Sequence, residues 1–114
     1  MKDFSEKRKF KRVKGTFRVN FIPNSDLVLN FSCDCRDISE GGIGIAIIAE
    51  PIPGRDVEVV FKLPNSPDEL KIPSEVVWVR PSEQFRSKFE AGIKFYSLSG
   101  ETRQLLKEYI AKSS

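Results

Sequence analysis

At 114 residues, with 39% apolar and 31% charged side chains, the chain has the size and composition of one globular domain, neither disordered nor membrane-spanning. It contains no histidine, which removes histidine-assisted nucleophiles, most zinc sites and the commonest general acid–base group. The net charge of +3 hides an asymmetry: residues 1–14 carry seven cations against two carboxylates, a net of +5, so the other hundred residues total −2.

The basic stretch forms the first unit, a flexible arm over 1–14. Thr16–Ile22 then alternates Phe17, Val19 and Phe21 with polar partners, the period-2 pattern of a half-buried strand, and Pro23, Asn24 and Ser25 make a turn. Leu27, Leu29, Phe31, Cys33 and Cys35 keep that period in a long strand ending near Asp37, and Ile43–Ile48 follows. The longest apolar run, Ile43–Ala49, is far short of the roughly 20 residues that span a membrane. The charged amino terminus does not resemble a signal peptide, so no membrane insertion and a cytoplasmic location are expected.

Pro51, Pro53 and Gly54 break the chain before a fourth alternation, Val57, Val59, Phe61 and Leu63. After a turn at Pro64–Asp68, Leu70–Arg80 reads as a strand in which Pro73 belongs at an edge or bulge, because proline cannot donate to a ladder. Parity places Trp78 with Ile72 and Val76, which predicts packing. Phe85–Phe95 is the sixth strand, with Phe89, Ala91, Ile93 and Phe95 on one face and Glu90, Gly92 and Lys94 on the other.

The period then becomes helical at Leu98, Thr102, Leu105, Leu106, Tyr109 and Ile110. Ser99 is a candidate cap, and Lys107 and Lys112 stand where the helix dipole favours cations. The expected fold is mainly β: a six-stranded antiparallel barrel over 15–114 closed by a carboxy-terminal helix at about 98–112.

Two segments carry candidate chemistry. In the first, Lys7–Arg12, Arg8 and Arg12 are four residues apart with Lys9 and Lys11 between them. Guanidinium groups stack on nucleobases, fork onto a guanine edge or clamp phosphates; the competing reading is a solvated basic tail. The second is Asp37-Ile38-Ser39-Glu40-Gly41-Gly42. Here Asp37 can accept from a guanine N1 and N2 edge, Ser39 can bond a phosphate or base edge, and Gly42 lets a ligand approach the backbone. The competing reading is a hairpin turn in which Asp37 and Ser39 cap amides and glycine takes positive φ. Lys7, Lys9 and Trp78 are secondary ligand candidates. Cys33 and Cys35, side by side on one strand face without further ligands, read as small buried hydrophobes.

The arm, the DISEGG segment about 25 residues on, and the six-strand-plus-helix layout together resemble the PilZ family, bacterial receptors for cyclic di-GMP. Arg8 and Arg12 match its Arg-x-x-x-Arg arm; Asp37, Ser39 and Gly42 match its (Asp/Asn)-x-Ser-x-x-Gly turn. EVVWVR and FEAGIKF are similar to its closing strands. The resemblance implies a split-type barrel whose rim bears the Asp37 turn. It also implies an arm that folds over the dinucleotide, so that Arg8 and Arg12 engage bases and phosphates. It further implies cyclic di-GMP as the ligand and an output that passes to an unidentified downstream protein; no cofactor, no metal and no catalytic residue are expected.

Two alternatives are a small basic barrel that binds single-stranded nucleic acid and a ligand-free structural adaptor. Inward-facing phenylalanines leave few stacking platforms for the first, and the retained signatures argue against the second.

Overall fold

Side chains that alternate between oil and water form strands when one face can be buried, and here six such segments bury theirs against one another around a closed ring. The computed structural model describes residues 11–15, 17–23, 30–84 and 88–113. Its strands are β1 (Val13–Lys14), β2 (Arg18–Pro23), β3 (Phe31–Ile38), β4 (Gly42–Ile47), β5 (Asp56–Lys62), β6 (Glu69–Pro81) and β7 (Phe89–Phe95), followed by helix α1 (Gly100–Ser113). All pairings are antiparallel in the order β1-β3-β2-β5-β6-β7-β4, and a further β3–β4 pairing closes the barrel. The expected six-stranded barrel is therefore present, with β1 as an additional strand.

β1 lies at the end of the basic stretch. Val13 pairs with Ile38 and Lys14 with Asp37, on the same edge of β3 that β2 occupies further along. Gly15 bridges the two, its N–H donating to the Arg36 carbonyl at 3.0 Å. Glycine is required there because a Cβ would stand 2.1 Å from the Cys35 sulfur.

The interior holds Val19, Phe21, Cys33, Cys35, Ile38, the isoleucines of β4, Val57, Val59, Phe61, Ile72, Val76, Ala91, Ile93 and Phe95. Each such aliphatic side chain stabilises by roughly 1.5–3 kcal/mol when fully buried. Phe17, Phe31 and Phe89 pack against this cluster while remaining partly exposed. Helix α1 buries Leu106, Tyr109 and Ile110; Tyr109 meets Phe17 edge-on at 5.8 Å, and Phe17 stacks on Phe61 at 5.4 Å. Ser99 caps the helix, its Oγ accepting the Thr102 N–H at 3.1 Å. Pro73 keeps its place in β6 because its carbonyl meets the Tyr96 N–H just past the end of β7, where a donor is not needed. Cys33 and Cys35 are buried free thiols.

The structure corrects the expected packing of Trp78. β6 pairs Val76 with Ile93 but Trp78 with Gly92, so Val77 is an extra residue, a β-bulge. The bulge reverses the parity: Val76 is fully buried, whereas Val77 and Trp78 both point outward, Trp78 at 43% exposure. Leu27, Leu29 and residues 85–87, read as strand, lie outside the described residues, as do Lys7, Arg8 and Lys9.

Candidate functional site

A second bulge places the key acid. In the β3–β4 ladder Cys35 pairs with Ile45 and Asp37 with Gly44, which leaves Arg36 extra. Cys35 and Ile38 point into the core, and Arg36 and Asp37 are turned outward in succession. Arg12, just before β1, donates a hydrogen bond to Asp37 Oδ1, so the root of the arm and the start of the turn are joined by an ion pair. Two of the predicted site residues thus meet.

Ser39 and Gly42 serve the turn itself. The Ser39 N–H donates to the Gly42 carbonyl at 2.9 Å, Ser39 Oγ accepts the Gly41 N–H at 3.1 Å, and the residue is 3% exposed. No positive φ is needed at Gly42; the described glycine with one is Gly54. Gly42 is required for a different reason: a Cβ would stand 2.3 Å from the Ile93 carbonyl oxygen of β7. Glu40, at the tip, pairs with Arg103 of α1 at 3.6 Å.

Outward from the turn, the strand register lines up Asp37, Gly44, Gly92 and Trp78 across β3, β4, β7 and β6. The β4 positions that alternate with its isoleucines are Gly42, Gly44 and Ala46. With no side chain larger than a methyl they form a low strip of the outer face, here termed the trough, which is buried beneath neighbouring side chains. The Asp37 carboxylate leans over Gly44, and the Trp78 indole leans over Gly92; hypothetical Cβ atoms there would stand 2.7 Å from Asp37 Oδ1 and 2.2 Å from Trp78 Nε1. Asp37 and Trp78 start three strand spacings apart, roughly 14 Å, and both incline towards the glycine pair between them.

Sequence reasoning missed the neighbours of this row. Arg80 stacks on Trp78, its guanidinium carbon 5.1 Å from the ring centre, and Arg80 and Arg36 both pair with Glu90 of β7. Glycines inside strands at 44 and 92 were the available signal, since a strand glycine marks a close approach. At the arm's root, Lys11, Arg12 and Lys14 line an open cleft of about 620 Å³ against Tyr109. Beneath the site, burial holds the Cys35 thiol far above its usual range, helped by the nearby Asp37 charge, so it is an inert neighbour. Among the described residues no three His, Cys, Asp or Glu side chains gather as metal ligands, and no helix is long and apolar enough to cross a membrane.

The family model for the PilZ domain matches residues 6–112. The chain belongs to the PilZ family. Solved structures share the PilZ fold at low identity. The structure of Bacillus subtilis Inhibitor of motility (MotI/DgrA) aligns with a TM-score of 0.77 at 16% identity over 92% of this chain and 50% of that one. The K. pneumonia MrkH complex with c-di-GMP aligns at 0.75 and 16% identity over 92% and 51%. The PilZ domain of YcgR from Escherichia coli with c-di-GMP aligns at 0.70 and 11% identity over 93% and 90%. The chain therefore spans about half the length of MotI and MrkH and nearly all of the isolated YcgR domain. No curated protein sequence matches it.

Proposed function

We propose that this PilZ chain is a receptor for cyclic di-GMP, held between the amino-terminal arm and the outer trough of the barrel. The observation that carries the reading is the Arg12–Asp37 pair, which joins the two family signatures at one end of the trough. It is supported by the YcgR PilZ domain and MrkH structures, both of which contain c-di-GMP.

The chemistry follows from the residues. Asp37 accepts from the N1–H and N2–H of a guanine, while Arg12 and Arg8 stack on bases or fork onto phosphates, with Lys7 and Lys9 adding charge. Ser39 and Gly42 act by fixing the turn that carries Asp37. Trp78 offers an aromatic face at the opposite end of the trough. The arm's net charge of +5 draws in a dianionic ligand.

Both members of the Arg12–Asp37 pair keep about a third or more of their side-chain surface in water, at 31% and 41%. Such pairs contribute about 0–1 kcal/mol, whereas each hydrogen bond from a guanine N–H to the charged Asp37 carboxylate contributes about 1.5–3 kcal/mol. The exchange of Arg12 for guanine on Asp37 is therefore favourable. Ordering the arm offsets part of that gain, and the newly covered rim is the surface a downstream protein reads. Binding is the whole activity in this reading: no reaction and no cofactor is assigned.

Calorimetry with cyclic di-GMP, with GMP as control, tests the proposal, and emission from Trp78, the only tryptophan, reports the trough directly. Saturable heat is expected with cyclic di-GMP. Arg12→Ala or Asp37→Ala weakens binding by at least about tenfold, equivalent to ~1.4 kcal/mol, and Lys2→Ala leaves it unchanged. Heat no greater than that of GMP at high micromolar ligand refutes the assignment.

A further inference from the structure

Glu90 stands on the outer face of β7, where alternation predicts a solvated side chain, yet it is 5% exposed. Two arginines cover it. Its Oε1 accepts Arg80 Nε at 3.0 Å and Nη2 at 2.9 Å, and its Oε2 accepts Arg36 Nη1 and, at 3.4 Å, Ser82 Oγ. The arginines arrive from opposite sides: Arg36 is the bulged residue next to Asp37 on β3, and Arg80 follows Trp78 by two on β6. Arg80 is the register partner of Glu90 on the adjacent strand, whereas Arg36 reaches it across β4, where Ala46, the partner of Glu90 on that side, is too small to intervene.

Two guanidinium groups on one carboxylate leave a net positive charge. Stability does not call for it, because a buried ion pair is at best comparable with well-packed apolar residues of the same volume. What the arrangement does supply is pre-organisation. Arginine has a large rotamer freedom to lose on binding, and here the loss is incurred during folding. Arg80 is fixed twice, edge-on by Glu90 and face-on by Trp78, which leaves Nη1 uncommitted to the carboxylate. The resulting strip runs beside the Asp37–Gly44–Gly92–Trp78 row.

We propose that Glu90 is a positioning residue for the nucleotide site. By pinning Arg36 and Arg80 it sets a rigid cationic strip against the trough. That strip receives the second guanine and phosphate of a cyclic dinucleotide, while the arm and Asp37 take the first. This inference rests on the cyclic di-GMP reading above. It adds that half of the ligand is met by barrel residues already in place, with Arg80 and Trp78 as a guanidinium–indole shelf.

The test uses the full chain and cyclic di-GMP, comparing wild type with Arg80→Ala, Arg36→Ala, Glu90→Gln and the Arg80→Ala/Glu90→Gln pair. Affinity, Trp78 emission and thermal melting are followed. Wild type is expected to bind with a change in Trp78 emission. Arg80→Ala and Glu90→Gln each weaken binding by about tenfold and reduce the emission change, and the double variant is little weaker than either single one. Arg36 and Arg80 have exposed side chains, at 38% and 64%, so their truncation leaves the fold intact and decides the matter should Glu90→Gln melt early. Wild-type affinity in both arginine variants overturns the inference while the receptor reading stands. Losses that multiply in the double variant overturn the positioning role, since Glu90 would then act independently of Arg80. Absence of binding by wild type overturns the receptor reading and this inference with it.

Discussion

Gly44 lies directly beneath the Asp37 carboxylate, so close that a methyl group on it would stand 2.7 Å from Oδ1. The nearest atom is the mobile end of a side chain. Gly44→Ala is therefore expected to fold, with the carboxylate pushed off its place beside Arg12, and to bind cyclic di-GMP about tenfold more weakly, or ~1.4 kcal/mol. Gly42→Ala, two residues away, meets the Ile93 carbonyl oxygen at 2.3 Å instead, and backbone cannot swing aside. It should cost roughly 1–3 kcal/mol of stability as β4 and β7 are forced apart. Denaturant melts and calorimetry on both variants separate the two effects; equal melting would show that the Gly42 contact is not restrictive.

Gly92 plays the corresponding part under Trp78, whose Nε1 lies 2.2 Å from where a Cβ would be. In Gly92→Ala the indole has to lift from the sheet and lose its stacking with Arg80, a contact of about 0.5–1 kcal/mol at an exposed site. The expected signature is a red shift of Trp78 emission without ligand. An unchanged spectrum would mean that the indole does not rest on Gly92.

Burial pushes the Cys33 thiol from its ordinary value of 9.0 up to about 12, and Cys35 is raised as well. The native chain keeps these protons while the unfolded chain releases them, so the thiols' contribution to stability is complete below pH ~9 and is lost as pH climbs towards ~12. Urea midpoints should fall between pH 8 and about pH 10, and fall less in a Cys33→Ala/Cys35→Ala variant. An identical fall in both proteins would assign the alkaline loss to other groups. The same burial predicts that thiol reagents label neither cysteine until the barrel opens.

Ser99 satisfies one of the free amides in the first turn of α1 through its bond to Thr102 N–H at 3.1 Å. Ser99→Ala should cost about 1 kcal/mol, which for a domain near this size lowers the melting midpoint by roughly 4–8 °C. Loss of the cap also loosens the end of the helix that carries Arg103, the partner of Glu40 in the turn. A midpoint within a degree of wild type would show that the cap is dispensable.

Much was written in the linear chain. Period-2 alternation through Phe17–Phe21, Val57–Leu63 and Phe89–Phe95 required a sheet with one buried face, and the change to helical spacing at Leu98 required a closing helix. The Asp37 turn and the run of cations before it were legible as a unit because their order and spacing are local properties. What folding alone decided is which way Asp37 and Trp78 look and why Glu90 is buried. Each depends on a bulge, at Arg36 and at Val77, that exists only because the partner strand's register leaves one residue over. A strand read by itself carries its alternation but not its register, and moving one residue across the ladder turns every later side chain to the opposite face.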